Sequence, residues 1–272
     1  FVAPLYVRHK YDGTLTSNMT YPLTRALYGR RVRQPISGDV GLSGDLVRTF
    51  MECEIWDEAV AHYGINMWMT TNAVQSRVSV IQAFMGKPRI HEVRNSPTEM
   101  DAMFKDVVGT LFELMCRYDN FWKDVKWSRP TAVFGFGVGD LEVPPPVEVD
   151  TGRVMEKLRS GLAKYWDLYS AICHADNINK LGEVADFPEE GFEFPTVLWA
   201  KILYDFAVAY RNTVAPRDDL LGALLPLYYA KTISFVLETQ AMNNQQVEEF
   251  IEDQCLQFEK TKPYLLERWF SG

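Results

Sequence analysis

Apolar positions recur along this chain in two registers, and the register changes once. Residues 1–7 (FVAPLYV) and 78–85 (VSVIQAFM) are apolar, partly β-branched runs that predict two strands, with Pro4 placing the first at a sheet edge or near its own start. Between them the spacing is helical. Met19, Leu23, Ala26 and Leu27 predict a short helix over 18–28 with Pro22 in its first turn, and 46–53 and 64–77 read as two more. After Ser96-Pro97 the pattern is helical throughout. Residues 98–122 carry Met103, Val107, Leu111, Leu114 and Met115 on one face, and four further helices are expected over 151–175, 195–212, 218–241 and 245–260. Residues 126–150, with Pro144-Pro145-Pro146, predict a long surface loop. The expected fold class is therefore α/β plus all-α, with 1–96 as part of an α/β domain and 97–272 as a helical domain.

One stretch breaks both registers. Residues 33–45 (RQPISGDVGLSGD) place a proline, three glycines and two aspartates between apolar segments. Glycine allows close backbone approach or positive φ, and an aspartate among such turns can face a bound group, so this is the composition of a site loop. Asp39 either orients a hydroxyl-rich substrate or caps the next helix. Asn66, in YGINMW, is either an N-cap or a substrate contact. Arg8, His9, Lys10 and Tyr11 precede a Gly-Thr turn followed by Thr14, Thr16 and Thr20, a cluster able to hold a carboxylate or a solvated loop. His91 comes directly after the second strand, where ligands gather in open α/β sheets, and reads as a metal or phosphate contact or as a surface histidine.

Charge sharpens this. The formal net charge of −8 argues against nucleic acid as a general partner. Yet residues 1–50 hold seven Lys/Arg against three Asp, a net of +4, which suits a small anion. Four cysteines, far apart and without a CxxC pair, fit reduced thiols and a cytoplasmic setting better than a disulfide framework or a zinc site. No transmembrane segment and no signal peptide are expected. There is no P-loop, GxGxxG or Ser-His-Asp order.

Taken in order, Gln34-Pro35-Ile36-Ser37-Gly38-Asp39, then Tyr63-Gly64-Ile65-Asn66, then Gly86 to His91 resemble the C-terminal half of a retaining GT-A glycosyltransferase. The nearest group is the mannosylglycerate synthase and glucosyl-3-phosphoglycerate synthase kind. Its members carry a Gln-Pro-Leu-Gly-Gly-Glu loop, then Tyr/Trp-Gly-Ile/Val-Asp/Glu opening a helix, then a strand followed by Gly-x-x-His. Tyr21 to Gly29 (YPLTRALYG) also resembles family-2 glycosyltransferase sequences. The motifs lie within residues 5–95, and the helical remainder is similar to the C-terminal extension of the same group.

The resemblance implies a GT-A (Rossmann-like) domain that moves a hexose from a nucleotide-sugar donor (GDP-mannose, GDP-glucose or UDP-glucose) to a small hydroxy-acid acceptor such as glycerate or phosphoglycerate. It implies a divalent metal, Mn²⁺ or Mg²⁺, with His91 as the protein ligand, an imidazole favouring manganese. It places Asp39 and Asn66 in catalytic positions, Gln34, Pro35, Ser37, Gly38 and Tyr63 on the donor side, and Arg8, Lys10, Thr14 and Thr20 at the acceptor carboxylate. Homo-oligomerisation through the helical part is a further expectation.

Two departures from the group's pattern matter. Asn66 stands where the family has a carboxylate, and an amide cannot act as a general base. That disfavours an inverting mechanism; the two alternatives left are a retaining one, in which the departing phosphate takes the acceptor's proton, and a loss of activity. Lys87-Pro88-Arg89 adds a residue between Gly86 and His91. No Asp-x-Asp occurs in the 272 residues, so the expectation is that a nucleotide-binding half lies outside them and that this chain alone turns over poorly. The alternative from another class is a catalytically idle helical interaction or oligomerisation module.

Overall fold

The computed structural model describes residues 1–53, 59–88, 97–135, 144–185, 187–188 and 190–271. The chain is mostly helical with a small parallel sheet. It divides into two compact units, Phe1–Val147 and Glu148–Gly272.

In the first unit, strands β1 (Val2–Val7), β2 (Ile81–Pro88) and β3 (Val133–Phe134) pair in parallel in the order β1-β2-β3. Pro4 lies in an edge strand, where a missing N–H costs no ladder bond on the outer side. Leu5 opposes Phe84 but Val7 opposes Pro88, so β2 bulges near its C-terminal end, and Gly86 supplies the positive φ (69°) that the bulge needs. Along β2, Gln82 and Gly86 are buried while Ile81 and Met85 are exposed, so one face of this strand packs and the other does not.

Helical segments connect the strands. A π-helical turn (Thr16–Thr20) runs into α1 (Tyr21–Tyr28), followed by α2 (Gly44–Met51), a second π turn (Val60–Gly64), α3 (Ile65–Gln75), α4 (Pro97–Arg117) and α5 (Asp119–Trp122). α4 packs on the second π turn and on α3, burying Phe104, Val107, Val108 and Leu111, while Trp122 donates its indole N–H to the Met115 carbonyl (2.8 Å). The sequence pattern changes at 96/97, but packing carries α4 and α5 into the first unit and divides the chain at Val147/Glu148. The expected loop over 126–150 holds one short strand, β3, among its described residues.

The second unit contains α6 (Thr151–Ile172), α7 (Ala175–Ala185), α8 (Thr196–Arg211), α9 (Arg217–Thr239) and α10 (Asn244–Phe270). Asp150 caps α6 by accepting from the Arg153 N–H, and Asn243 with Gln246 forms a capping box on α10. α7 is absent from the sequence reading, and α10 runs on through Pro263 to Phe270. α6 meets α9 at Gly161, where a β-carbon would lie 2.1 Å from Pro226 Cγ. α9 is long and apolar enough to cross a membrane by length and composition, a qualification to the expectation of no such segment, but 78% of its apolar window is buried inside the unit, as in a core helix.

Two buried charges organise this core. Asp205 is fully buried, accepts from the His174 N–H (3.2 Å), Asn177 Nδ2 (2.8 Å) and the Tyr264 hydroxyl, and forms an ion pair with Arg268 (Nε at 2.7 Å), tying the α6–α7 link, α7, α8 and α10 together. Lys231 is also fully buried and donates to the Phe194 carbonyl (3.3 Å) and Thr196 Oγ1 (3.0 Å). Burial lowers its pKa to about 8, against the opposing pull of Glu238 and Glu193.

Two outcomes follow from this packing. Gly161→Ala gains about 1 kcal/mol of helix propensity but drives a methyl into a rigid proline ring; a net loss of roughly 1–3 kcal/mol is expected in urea unfolding. For Lys231, the unfolded chain keeps its proton up to the ordinary value of 10.5 while the folded chain releases it near 8. Stability relative to Lys231→Met therefore stays flat below pH 8 and rises by roughly 3 kcal/mol between pH 8 and 10.5. Parallel unfolding curves for the two proteins across that window would remove the buried-amine account.

Candidate functional site

The C-terminal ends of parallel strands are where open α/β sheets bind ligands, because helix N-termini and loops converge there. Here that end of β1 delivers Arg8 and the turn that follows it. Gly13 has φ +78°, and a β-carbon there would stand 2.7 Å from Arg8 Nη1 and 3.6 Å from Thr16 Oγ1. Only glycine fits both demands. Directly behind it the helical ladder starts, with the Ser17 N–H donating to the Gly13 carbonyl (3.1 Å). Thr14 is half-buried in this first turn, and Lys10 lies over the Tyr11 ring at 5.1 Å. His9 accepts from the Tyr11 N–H through Nδ1 (3.3 Å), and burial, then Lys10, holds its pKa below the ordinary histidine value.

The glycine-rich loop meets this turn. Gln34, Pro35, Ile36 and Ser37 form a turn closed by the Ser37 N–H to Gln34 carbonyl bond (3.1 Å). The buried Gln34 amide bonds the backbone of Tyr6 twice, accepting from its N–H (3.3 Å) and donating to its carbonyl (2.9 Å), as a neighbouring strand would. Ser37 donates to Gln34 Oε1 (3.2 Å) and accepts from Arg8 Nη2 (3.0 Å). Pro35 offers its carbonyl to Thr70 Oγ1 (2.8 Å), and Gly38 is half-buried beside Asp39. Asp39 is exposed with φ +62°, and its carboxylate accepts from the Tyr6 hydroxyl (2.6 Å). The cap of α2 is Ser43, whose side chain accepts from the Leu46 N–H, so Asp39 does not serve as that cap. Gly41 then bridges back to Val2.

The YGIN motif has a different local logic. A β-carbon at Gly64 would lie 2.1 Å from Thr110 Oγ1, so this glycine lets the π turn press against α4. Tyr63 donates to Glu99 Oε1 (3.4 Å). Asn66 sits inside α3, half-buried, with Gly64 in the N-cap position, so it does not cap the helix. It lies one turn before Thr70, on the face that bonds Pro35.

The fold thus brings Arg8, Ser37, Gln34 and Asp39 together at the end of β1, with Asn66 one turn from the α3 residue that holds Pro35. His91 lies outside the described residues. Among those described, no group of three or more His, Cys, Asp or Glu stands together.

Thr20 is fully buried, and its hydroxyl has no hydrogen-bond partner among the described residues. Thr16, just above it and 2% exposed, shares that condition. Sequence reasoning noticed Thr16 only as one member of a threonine-rich turn; a hydroxyl three residues behind a turn glycine was the available signal.

No protein family and no curated protein matches the chain.

Gln34→Leu keeps the volume and removes every polar contact of this side chain. The Tyr6 backbone and Ser37 then lose their partners, and a loss of roughly 2–4 kcal/mol is expected by denaturant unfolding. A change under about 0.5 kcal/mol would mean that water replaces the amide freely.

Proposed function

We propose that this chain is the acceptor side of a GT-A glycosyltransferase, taking a hexose from a nucleotide sugar and passing it to a small hydroxy acid of the glycerate or phosphoglycerate kind. One observation carries the reading: Arg8, held by Ser37, stands at the C-terminal end of β1, and a β-carbon on Gly13 would lie 2.7 Å from its Nη1 and 3.6 Å from the buried Thr16 hydroxyl, which has no partner among the described residues. A guanidinium recognises a carboxylate or phosphate through paired N–H donors, and a neighbouring hydroxyl that lacks a partner can add one more donor to such a contact. Asp39, exposed and fixed by Tyr6, is positioned to accept from the hydroxyls of a sugar or an acceptor. Lys10 and Thr14, in the turn that follows Arg8, belong to the same proposed acceptor contact.

Gln34, Pro35 and Ser37 shape the wall rather than point into it, because their polar atoms hold Tyr6, Thr70 and Arg8. His91, just past β2, is the proposed ligand for Mn²⁺ or Mg²⁺, which when bound would neutralise the leaving diphosphate. With an amide at 66, the acceptor's proton goes to the departing phosphate in a retaining transfer. A cytoplasmic setting and a homo-oligomer belong to the same proposal.

The same contacts favour one competing reading, a structural loop in an idle interaction module, since Gln34 and Ser37 already serve the fold. Calorimetric titration of the chain with glycerate and 3-phosphoglycerate separates the two. Saturable binding, weakened about tenfold or more by Arg8→Ala and less by Lys10→Ala, is expected. Absence of binding to either acid favours the idle module. In the same protein, Mn²⁺-dependent nucleotide-sugar binding is expected to fall on His91→Ala, and unchanged affinity would withdraw the metal ligand.

A further inference from the structure

A second surface of the first unit, away from the Arg8 turn in sequence and in bonding, carries its own chemistry. After α1 the chain leaves Gly29 (φ +68°) and runs extended beside the segment that follows α5. The Arg31 N–H donates to the Arg129 carbonyl (3.2 Å), the Arg129 N–H donates to the Gly29 carbonyl (3.0 Å), and Arg31 Nε donates to Ser128 Oγ (3.1 Å). A β-carbon at Gly29 would fall 2.9 Å from Val125 Cγ1 and 3.2 Å from the Trp127 carbonyl, so the backbone under Trp127 is closely packed. Its side chain is not: Trp127 is 75% exposed, and so is Phe134 in β3, at the outer edge of the sheet.

Cations flank Trp127 along the chain and across the pairing of 29–31 with Arg129. Lys126 and Arg129 are exposed, and Arg30 and Arg31 are half-exposed. In 29–31 and 123–135 together the sole carboxylate is Asp124. A rigid backbone that presents a tryptophan and a phenylalanine among basic side chains is costly to leave in water and matches one environment well: the interface of a bilayer bearing anionic headgroups. Aromatic rings settle at headgroup depth, and cations gain from the negative surface potential. Nucleic acid fits less well, because Phe134 has the exposed aliphatic Val133 beside it, which offers no stacking face.

We propose that this edge, carrying Trp127, Phe134, Arg30, Arg31, Lys126 and Arg129, docks the protein reversibly on membranes that contain anionic lipid. Each cation near such a surface contributes about fivefold to the partition coefficient, so four cations and two rings give a weak, salt-sensitive association and no permanent anchor.

The test is co-sedimentation of the full chain with vesicles of phosphatidylcholine alone and with about 30% phosphatidylserine, at about 0.1 M salt. At least tenfold stronger partitioning to the anionic vesicles is expected, falling about fivefold in Lys126→Gln or Arg129→Gln and similarly in Trp127→Ala, with circular dichroism unchanged. Equal partitioning to the two vesicle types overturns the proposal. So does partitioning that survives Trp127→Ala together with Arg129→Gln. Tighter binding of a single-stranded oligonucleotide than of the vesicles would reassign the surface to nucleic acid, and a dimer in sedimentation velocity that Trp127→Ala dissolves would reassign it to a second copy of the chain.

Discussion

An edge strand of a parallel sheet carries a row of backbone N–H and C=O groups with no neighbouring strand, and each one buried without a partner costs about 1–3 kcal/mol. β1 is such a strand, and it meets the demand with the segment 34–41: the Gln34 side chain takes both polar groups of Tyr6, and Gly41 takes those of Val2. Everything at the candidate site is downstream of that pairing. With Gln34 anchored at Tyr6, the turn through Pro35 brings Ser37 against Arg8, and Asp39, in the left-handed region, accepts from the Tyr6 hydroxyl. The same turn leaves the Pro35 carbonyl toward α3, where Thr70 takes it. A loop that covers a sheet edge thereby sets the spacing between a guanidinium, a carboxylate and a helix.

How much of this the amino acids announce depends on how local the cause is. The loop itself is legible, because the density of Gly, Pro and Asp between apolar runs has few other meanings. The task of Gln34 is not, since it depends on which backbone groups of a strand nearly thirty residues earlier lack partners. Gly64 is similar: the motif is visible, but its reason is Thr110 on α4. The long helices of the second unit follow from their periodicity. α7 is not among the expected helices, and the reason for its start is distant in sequence: the His174 N–H and Asn177 donate to the buried Asp205. The change of pattern at 96/97 is real, but pattern records what each segment is, and packing decides what it joins.

Two charged side chains of the second unit, Asp205 and Lys231, are fully buried, and the fold treats them differently. Asp205 has Arg268 at 2.7 Å and three hydrogen-bond donors, so its desolvation is offset by an opposite charge and by hydrogen bonds. Lys231 makes its two recorded hydrogen bonds to neutral oxygens, and the nearby Glu193 and Glu238 only temper the effect of burial. A neutral amine still has two protons to donate, so Lys231 can hold Phe194 and Thr196 in either state. Ser234 holds the Phe194 N–H from one turn further along α9. The segment leading into α8 is thus fixed on both its donor and its acceptor by a single helix.

The helical run that follows Gly13 is buried on all sides, and its two faces differ in kind. Leu15, Met19, Leu23 and Leu27 recur every four residues and pack as a core stripe. Thr16, Thr20 and Thr24 recur with the same spacing and are equally buried, yet of the three only Thr24 has a partner for its hydroxyl among the described residues, the Thr20 carbonyl at 2.7 Å. The π turn at Thr16–Thr20 widens the ladder where the two unmatched hydroxyls sit, and such insertions gather at functional sites. A helix selected for stability alone would place valine at 16 and 20, keep the shape and avoid the cost of two buried unmatched hydroxyls. Local choices that contradict stability without a compensating contact concentrate where a ligand completes them. Among the described residues near the end of β1, this polar stripe behind Arg8 holds hydroxyls that no protein group satisfies, and that is the physical ground of the proposal that an anion binds there.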